Sequence, residues 1–142
     1  MRPESVEVVE GIYEAFARGD VQAVLAAMSH DIEWYEAEGM PYGGRHQGPD
    51  AAAQNVLGPV ARDIPDFAAT PEELIASGET VAVVARYTGT GKVTGKELDL
   101  RVVHLWDVRD GKVARFRNFA DTAKFLEVVP AEVAAGERRS RS

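Results

Sequence analysis

The sequence of 142 residues contains no cysteine. Disulfide scaffolds, thiolate nucleophiles, iron–sulfur clusters and cysteine-based zinc sites are therefore excluded. Basic residues are scarce too, 16 Lys and Arg against 23 Asp and Glu, which leaves a formal net charge of −7. Such a surface repels phosphate backbones and anionic headgroups, so neither nucleic acid nor a membrane is expected as a partner. Long apolar runs are also missing. The opening MRPESVEVVEGIYEAF is broken by acidic residues where a leader or a spanning helix needs unbroken apolar sequence, and a cytoplasmic location is the expectation. The histidines lack metal-ligand spacing, and Thr88-Gly-Thr-Gly-Lys-Val-Thr-Gly lacks the spacing and setting of a phosphate loop. No metal and no cofactor are expected.

What is present fits one ordinary globular domain, since 45% of the residues are apolar and 27% charged. The domain is assigned to residues 1–130, and residues 131–142, with the basic end ERRSRS, are expected to be a mobile tail. Val6, Val9, Tyr13 and Phe16, with Ile12 beside them, lie at helical spacing over residues 6–18. Gly19 ends that helix and Asp20 caps a short second one carrying Val21, Val24, Leu25 and Met28. Residues 31–38 alternate as a strand with Ile32, Trp34 and Glu36 on one face. The glycine-rich stretch 39–49 reads as a loop, and residues 51–62 as a helix capped by Asp50 and kinked or ended at Gly58-Pro59. Strands are predicted over 67–75, 80–88, 96–108 and 112–121, with Asp110-Gly111 the strongest hairpin signal. This order calls for an α+β fold, about three helices packed on a curved antiparallel sheet around an apolar pocket.

The stretches GIYEAFARGDVQAVLAAMSHDIEWYEA, MPYGGRHQG, RYTGTGKVTGKELDL and WDVRDGKVARFRNFADTAKF resemble the SnoaL-like polyketide cyclase group of the nuclear-transport-factor-2-like superfamily, over residues 6–128. The resemblance implies a cone-shaped fold that hosts cyclases, isomerases, dehydratases, epoxide hydrolases and non-catalytic binders. Beside ketosteroid isomerase, the position resembling the oxyanion tyrosine is Ile12, with Tyr13 one place on. The position resembling the protonated aspartic acid is Val103, and that resembling the general base is Glu36. Beside limonene-epoxide hydrolase, the acid falls at Asn118, and the partner of Arg86 falls at Thr88. Neither activity is expected. Asp121 matches the acid/base aspartate of the cyclases.

Three candidate catalytic residues follow. Asp121 is either that acid/base group or the N-cap of the segment after it. Glu36 shares its face with Ile32 and Trp34, and is either functional or a strand-end glutamate reaching water or an arginine. His104 is chemically suited to move protons, but the isomerase comparison turns Val103 inward and so His104 outward, beside Val102, Trp106 and Val108 in an apolar row expected to form a homodimer contact. The candidate substrate-binding residues are Trp34, Tyr42, Asn118, Phe116, Tyr13 and Phe67, with Tyr42 and His46 at the pocket mouth. Asn118 and Asp121 fall on opposite faces of an unbroken strand, so both point inward only if the chain turns at Asp121. The expected function is cofactor-independent acid/base chemistry on a small apolar, polyketide-like carbonyl compound. The alternatives are a non-catalytic binder or an interaction module of the same fold.

Overall fold

The structure is a computed structural model and describes residues 3–132. The tail expected from residue 131 thus lies, from residue 133 onward, outside the described residues. Helix α1 (Glu4–Ala17) buries Val9, Ile12 and Tyr13, and α2 (Val21–Ala26) follows directly. The bend between them is made by Gly19, at a φ of 73°, and by the Asp20 carboxylate, which accepts the Ala23 N–H at 3.1 Å. Strand β1 (Met28–Glu36) begins ahead of the predicted position and ends at Glu36. A short strand β2 (Gly44–Gln47) lies inside the stretch read as a loop and pairs antiparallel with β1, Trp34 opposite His46. Four residues carry too little alternation to be recognised as a strand.

Helix α3 (Pro49–Ala52), a π-helical turn (Ala53–Leu57) and α4 (Gly58–Asp63) follow one another without a break. Pro49, rather than Asp50, opens α3, the position where a missing N–H costs nothing. The π turn ends at Leu57 and α4 starts at Gly58, which puts Pro59 in the first turn of α4, where its missing N–H costs little. The remaining elements are β3 (Ala68–Ser77), β4 (Thr80–Thr90), β5 (Glu97–Arg109), β6 (Lys112–Ala120) and α5 (Thr122–Val128). Asp110 and Gly111 both take positive φ, 53° and 75°, as a tight β5–β6 hairpin turn of the mirrored kind requires.

Six strands form one sheet in the order β2-β1-β6-β5-β4-β3. Neighbours pair antiparallel except β1 and β6, which run parallel, Trp34 beside Phe116. No hairpin links those two, so nothing local fixes their relative direction. Helix α1 packs against β3, β4 and β5, which puts the core between the helices and one face of the sheet.

The phase of β5 is opposite to the one the isomerase comparison suggested. Leu98, Leu100, Val102, His104, Trp106 and Val108 are all buried, whereas Val103 is exposed. The alternate set, Glu97, Asp99, Arg101, Asp107 and Arg109, is charged, and keeping those charges in water decides the phase. Val102, His104, Trp106 and Val108 are therefore a core row and not an outward dimer row. On the outer face Val103 lies opposite Phe119, which is 54% exposed, and Leu105 opposite Arg117. A register shift between β5 and β6 lets Val113, Phe116 and Asn118 all face inward.

Candidate active site

Between α1, the α3–α4 run and the inner sheet face lies a cavity of about 60 Å³. Aromatic side chains make most of its wall, and Trp34, Trp106 and Phe116 form one packed group with ring centroids 4.0 to 6.4 Å apart. An apolar hollow of about 170 Å³ adjoins it, sharing Phe16, Val24, Leu57, Val60 and Phe67 as walls. The inner cavity is smaller than the roughly 150 Å³ that takes up a benzene. A ring-sized ligand therefore needs the adjoining hollow as well.

Polar groups enter this apolar setting as one connected row. The Trp34 indole N–H donates to Glu36 Oε1 at 2.9 Å, and the Asn118 amide donates from Nδ2 to Glu36 Oε2 at 2.7 Å. The same Nδ2 donates to the Tyr87 hydroxyl at 3.2 Å. Tyr87 pairs with His104 Nε2 at 2.6 Å, Tyr13 with His104 Nδ1 at 2.5 Å, and Trp106 Nε1 donates to the Tyr13 oxygen at 3.0 Å. Strand alternation delivers these groups: Trp34 and Glu36 from β1, Tyr87 from β4, His104 and Trp106 from β5, and Asn118 from β6.

Burial sets their proton affinities. It pushes the Glu36 carboxyl up to about 7, against the opposing pull of the Trp34 and Asn118 hydrogen bonds. Both of those partners are neutral, so neither compensates the carboxylate charge. Burial drives His104 the other way, down to about 3, which keeps the imidazole uncharged at neutral pH. The Tyr13 and Tyr87 hydroxyls are both raised by burial, and the nearby Glu36 charge raises Tyr87 further. Glu36 is thus the member of the row whose charge changes near neutrality.

The structure brings Glu36, His104, Trp34, Phe116, Tyr13 and Phe67 to the cavity wall, with Asn118 directly behind Glu36. Two sequence candidates are elsewhere. Asp121 is exposed and caps α5, accepting the Lys124 N–H at 3.1 Å. The chain does turn there, but the turn starts a helix and does not carry the carboxylate inward. Tyr42 is buried away from the cavity, its hydroxyl donating to Asp63 Oδ2 at 2.6 Å and its ring edge-on to Phe125. Beside it, His46 places Nε2 3.0 Å from the Tyr42 carbonyl. Tyr87 was not singled out from sequence, although it continues the inward set Val81, Val83 and Ala85 of β4. Arg86, on the opposite face, pairs with Asp99. Among the described residues no group of three or more His, Asp or Glu could hold a metal ion.

The SnoaL-like domain model matches residues 9–116. The chain belongs to that family. Solved structures similar to this SnoaL-like chain include a nuclear-transport-factor-2-like protein from Burkholderia thailandensis E264, 33% identical with a TM-score of 0.84, covering 90% of this chain and 98% of that one. A nuclear-transport-factor-2-like protein of unknown function from Burkholderia pseudomallei K96243 is 32% identical with a TM-score of 0.83, covering 91% and 99%. TerC, co-crystallised with polyporic acid, is 29% identical with a TM-score of 0.81, covering 89% and 98%. Comparison with curated proteins gives no match. Among the described residues no helix is long and apolar enough to cross a membrane.

Proposed function

We propose that this chain is a cofactor-independent acid/base enzyme of the isomerase, cyclase or dehydratase type, acting on a small apolar carbonyl compound. The observation that carries this reading is Glu36, a carboxyl buried at the wall of an aromatic cavity and poised to exchange its proton near pH 7. The ionised carboxylate removes a proton from the carbon next to the carbonyl. The electron pair moves onto the carbonyl oxygen to give an enolate, and the carboxylic acid, after exchanging its proton with solvent, then delivers a proton back to carbon. A hydroxyl of the buried row is the nearby group suited to hold that oxygen. TerC, crystallised with polyporic acid, supports a small organic ligand for this fold at 29% identity. A cytoplasmic homodimer, joined through the outer face around Val103 and Phe119, belongs to the same proposal.

The test is hydrogen–deuterium exchange at the α-carbon of apolar ketones in deuterated water, followed by NMR. Catalysed exchange that falls about a hundredfold or more in Glu36→Gln is the expected result. Ketones that bind while exchanging at the uncatalysed rate would leave a binding protein without turnover.

A further inference from the structure

Polar and apolar walls are sharply divided between the two adjoining spaces. Among the described residues, Tyr13, Glu36, Tyr87 and His104, with the two tryptophans, line the inner cavity of about 60 Å³, and none of them lines the hollow of about 170 Å³. To the five side chains common to both spaces the hollow adds Gly19, Val21, Ala61, Ile64 and Pro65, none of which carries a side-chain hydrogen-bonding group. Its main chain is closed as well. The N–H groups of Gly19, Val21, Ile64 and Phe67 donate to the carbonyls of Phe16, Gly19, Val60 and Ile64 at 2.8 to 3.1 Å, and Pro65 has no N–H to offer. A carbonyl placed in the hollow would give up water and meet no side-chain donor.

Size divides the spaces in the same sense. The inner cavity has room for about two water-sized groups, a carbonyl with an adjoining carbon, whereas the hollow matches the roughly 150 Å³ that accepts the six carbons of benzene. Phe16 and Phe67, in the wall common to both, meet edge to face with centroids 6.1 Å apart, and Phe67 packs in turn against Tyr87 at 4.8 Å. A methylene chain is the kind of group that passes beside such rings. The hollow is also the side that reaches water, since Gly19, Val21, Ala61 and Pro65 are exposed.

We propose that the ligand is an elongated monoketone, its carbonyl in the inner cavity beside Glu36 and an unfunctionalised tail of about six carbons in the hollow, with Val21 and Ala61 setting the length of tail accepted. The carbonyl rests on the acid/base reading. The apolar tail rests on the hollow alone.

The test is calorimetric titration of the full chain with methyl ketones of increasing length. Affinity is expected to rise about threefold per methylene from 2-butanone to 2-octanone, whose tail has six carbons, and to gain nothing further at 2-decanone. 2,5-Octanedione, the same chain with a second carbonyl in the tail, is expected to bind about fivefold or more weakly than 2-octanone. Ala61→Trp, at an exposed wall position, should bring the plateau to a shorter chain. Val21→Asp should weaken 2-octanone about tenfold, and an acid in the first turn of α2 suits that helix, so the variant is expected to fold. Melting curves of both variants accompany the titrations. A flat series, a gain that continues through 2-decanone, equal binding of the dione, or a plateau and affinity unmoved in both folded variants overturns the proposal. Failure of the two readings is distinguishable: catalysed α-proton exchange with a flat length series sinks this one, and a graded, saturating series without exchange sinks the acid/base reading.

Discussion

Asn118 and Glu36 meet across the parallel β1–β6 seam, the amide nitrogen 2.7 Å from one carboxylate oxygen. A cation in the place of Asn118 would hold the carboxyl ionised and acidic. A neutral amide steadies the geometry and leaves burial as the larger influence, which is why the group loses its proton near 7 rather than near 4.

Stability should depend on pH through this residue. Below pH 4.5 the carboxyl is protonated in both the folded and unfolded chain. Between 4.5 and about 7 the unfolded chain releases the proton while the folded one keeps it, so stability falls as pH rises through that window. The full cost, about 3 kcal/mol, is present above pH 7. Glu36→Gln should lack this slope, with Asn118 turning its amide so that Oδ1, which is buried without a partner, accepts from the new amide. Urea denaturation of both proteins from pH 4 to 9 measures the difference. Parallel curves would mean that the carboxyl is not desolvated in solution.

Asp121 should behave as a cap. Asp121→Asn is expected to leave stability and ketone binding nearly unchanged, and Asp121→Ala to cost about 1 kcal/mol by freeing the Lys124 N–H. A loss of α-proton exchange in the Asn variant with the fold intact would restore a catalytic role.

Tyr42→Phe should destabilise without touching ligand binding. The substitution removes the 2.6 Å hydrogen bond to Asp63, a carboxylate 3% exposed, leaving Arg62 as its charged neighbour. A loss of about 1–3 kcal/mol is expected. Melting curves alongside cyclohexanone titrations check both halves of the expectation.

The outer sheet face provides the test of assembly. Val103 and Phe119 are cross-strand partners and both exposed, so Phe119→Glu should convert a dimer to a monomer at micromolar concentration without lowering the melting temperature of the isolated subunit. Sedimentation velocity distinguishes the two. A monomeric wild type would refute the dimer outright.

Much of the fold was legible because helices α1 and α2, the long strands and the Asp110-Gly111 turn each carry a strong local pattern. Glu36 was legible for the same reason, since Ile32 and Trp34 fix the inward face of β1. Where a distant resemblance and local chemistry disagree, local chemistry decides. The likeness to ketosteroid isomerase turns Val103 toward the cavity, whereas the charges at Glu97, Asp99, Arg101, Asp107 and Arg109 mark that set as the wet side. Asp121 is a different case, because a match at the end of a strand says nothing about which way the chain then turns. The joining of Tyr13, His104 and Tyr87 is a tertiary fact: residues on three elements meet only once the sheet is assembled, and no spacing in the sequence encodes it.

The parallel β1–β6 seam bears on how the molecule reaches its native state. Strands β3 to β6 follow one another and pair with their sequence neighbours, so they can zip together through short loops. Strand β1 must instead find β6 across about eighty intervening residues, a closure with a large entropic cost and no local guide. The meander is then the early-forming half and the docking of β1 the late event. Glu36 arrives with β1 and Asn118 waits on β6, so a chain halted before that docking would hold most of its secondary structure and none of its proposed proton chemistry.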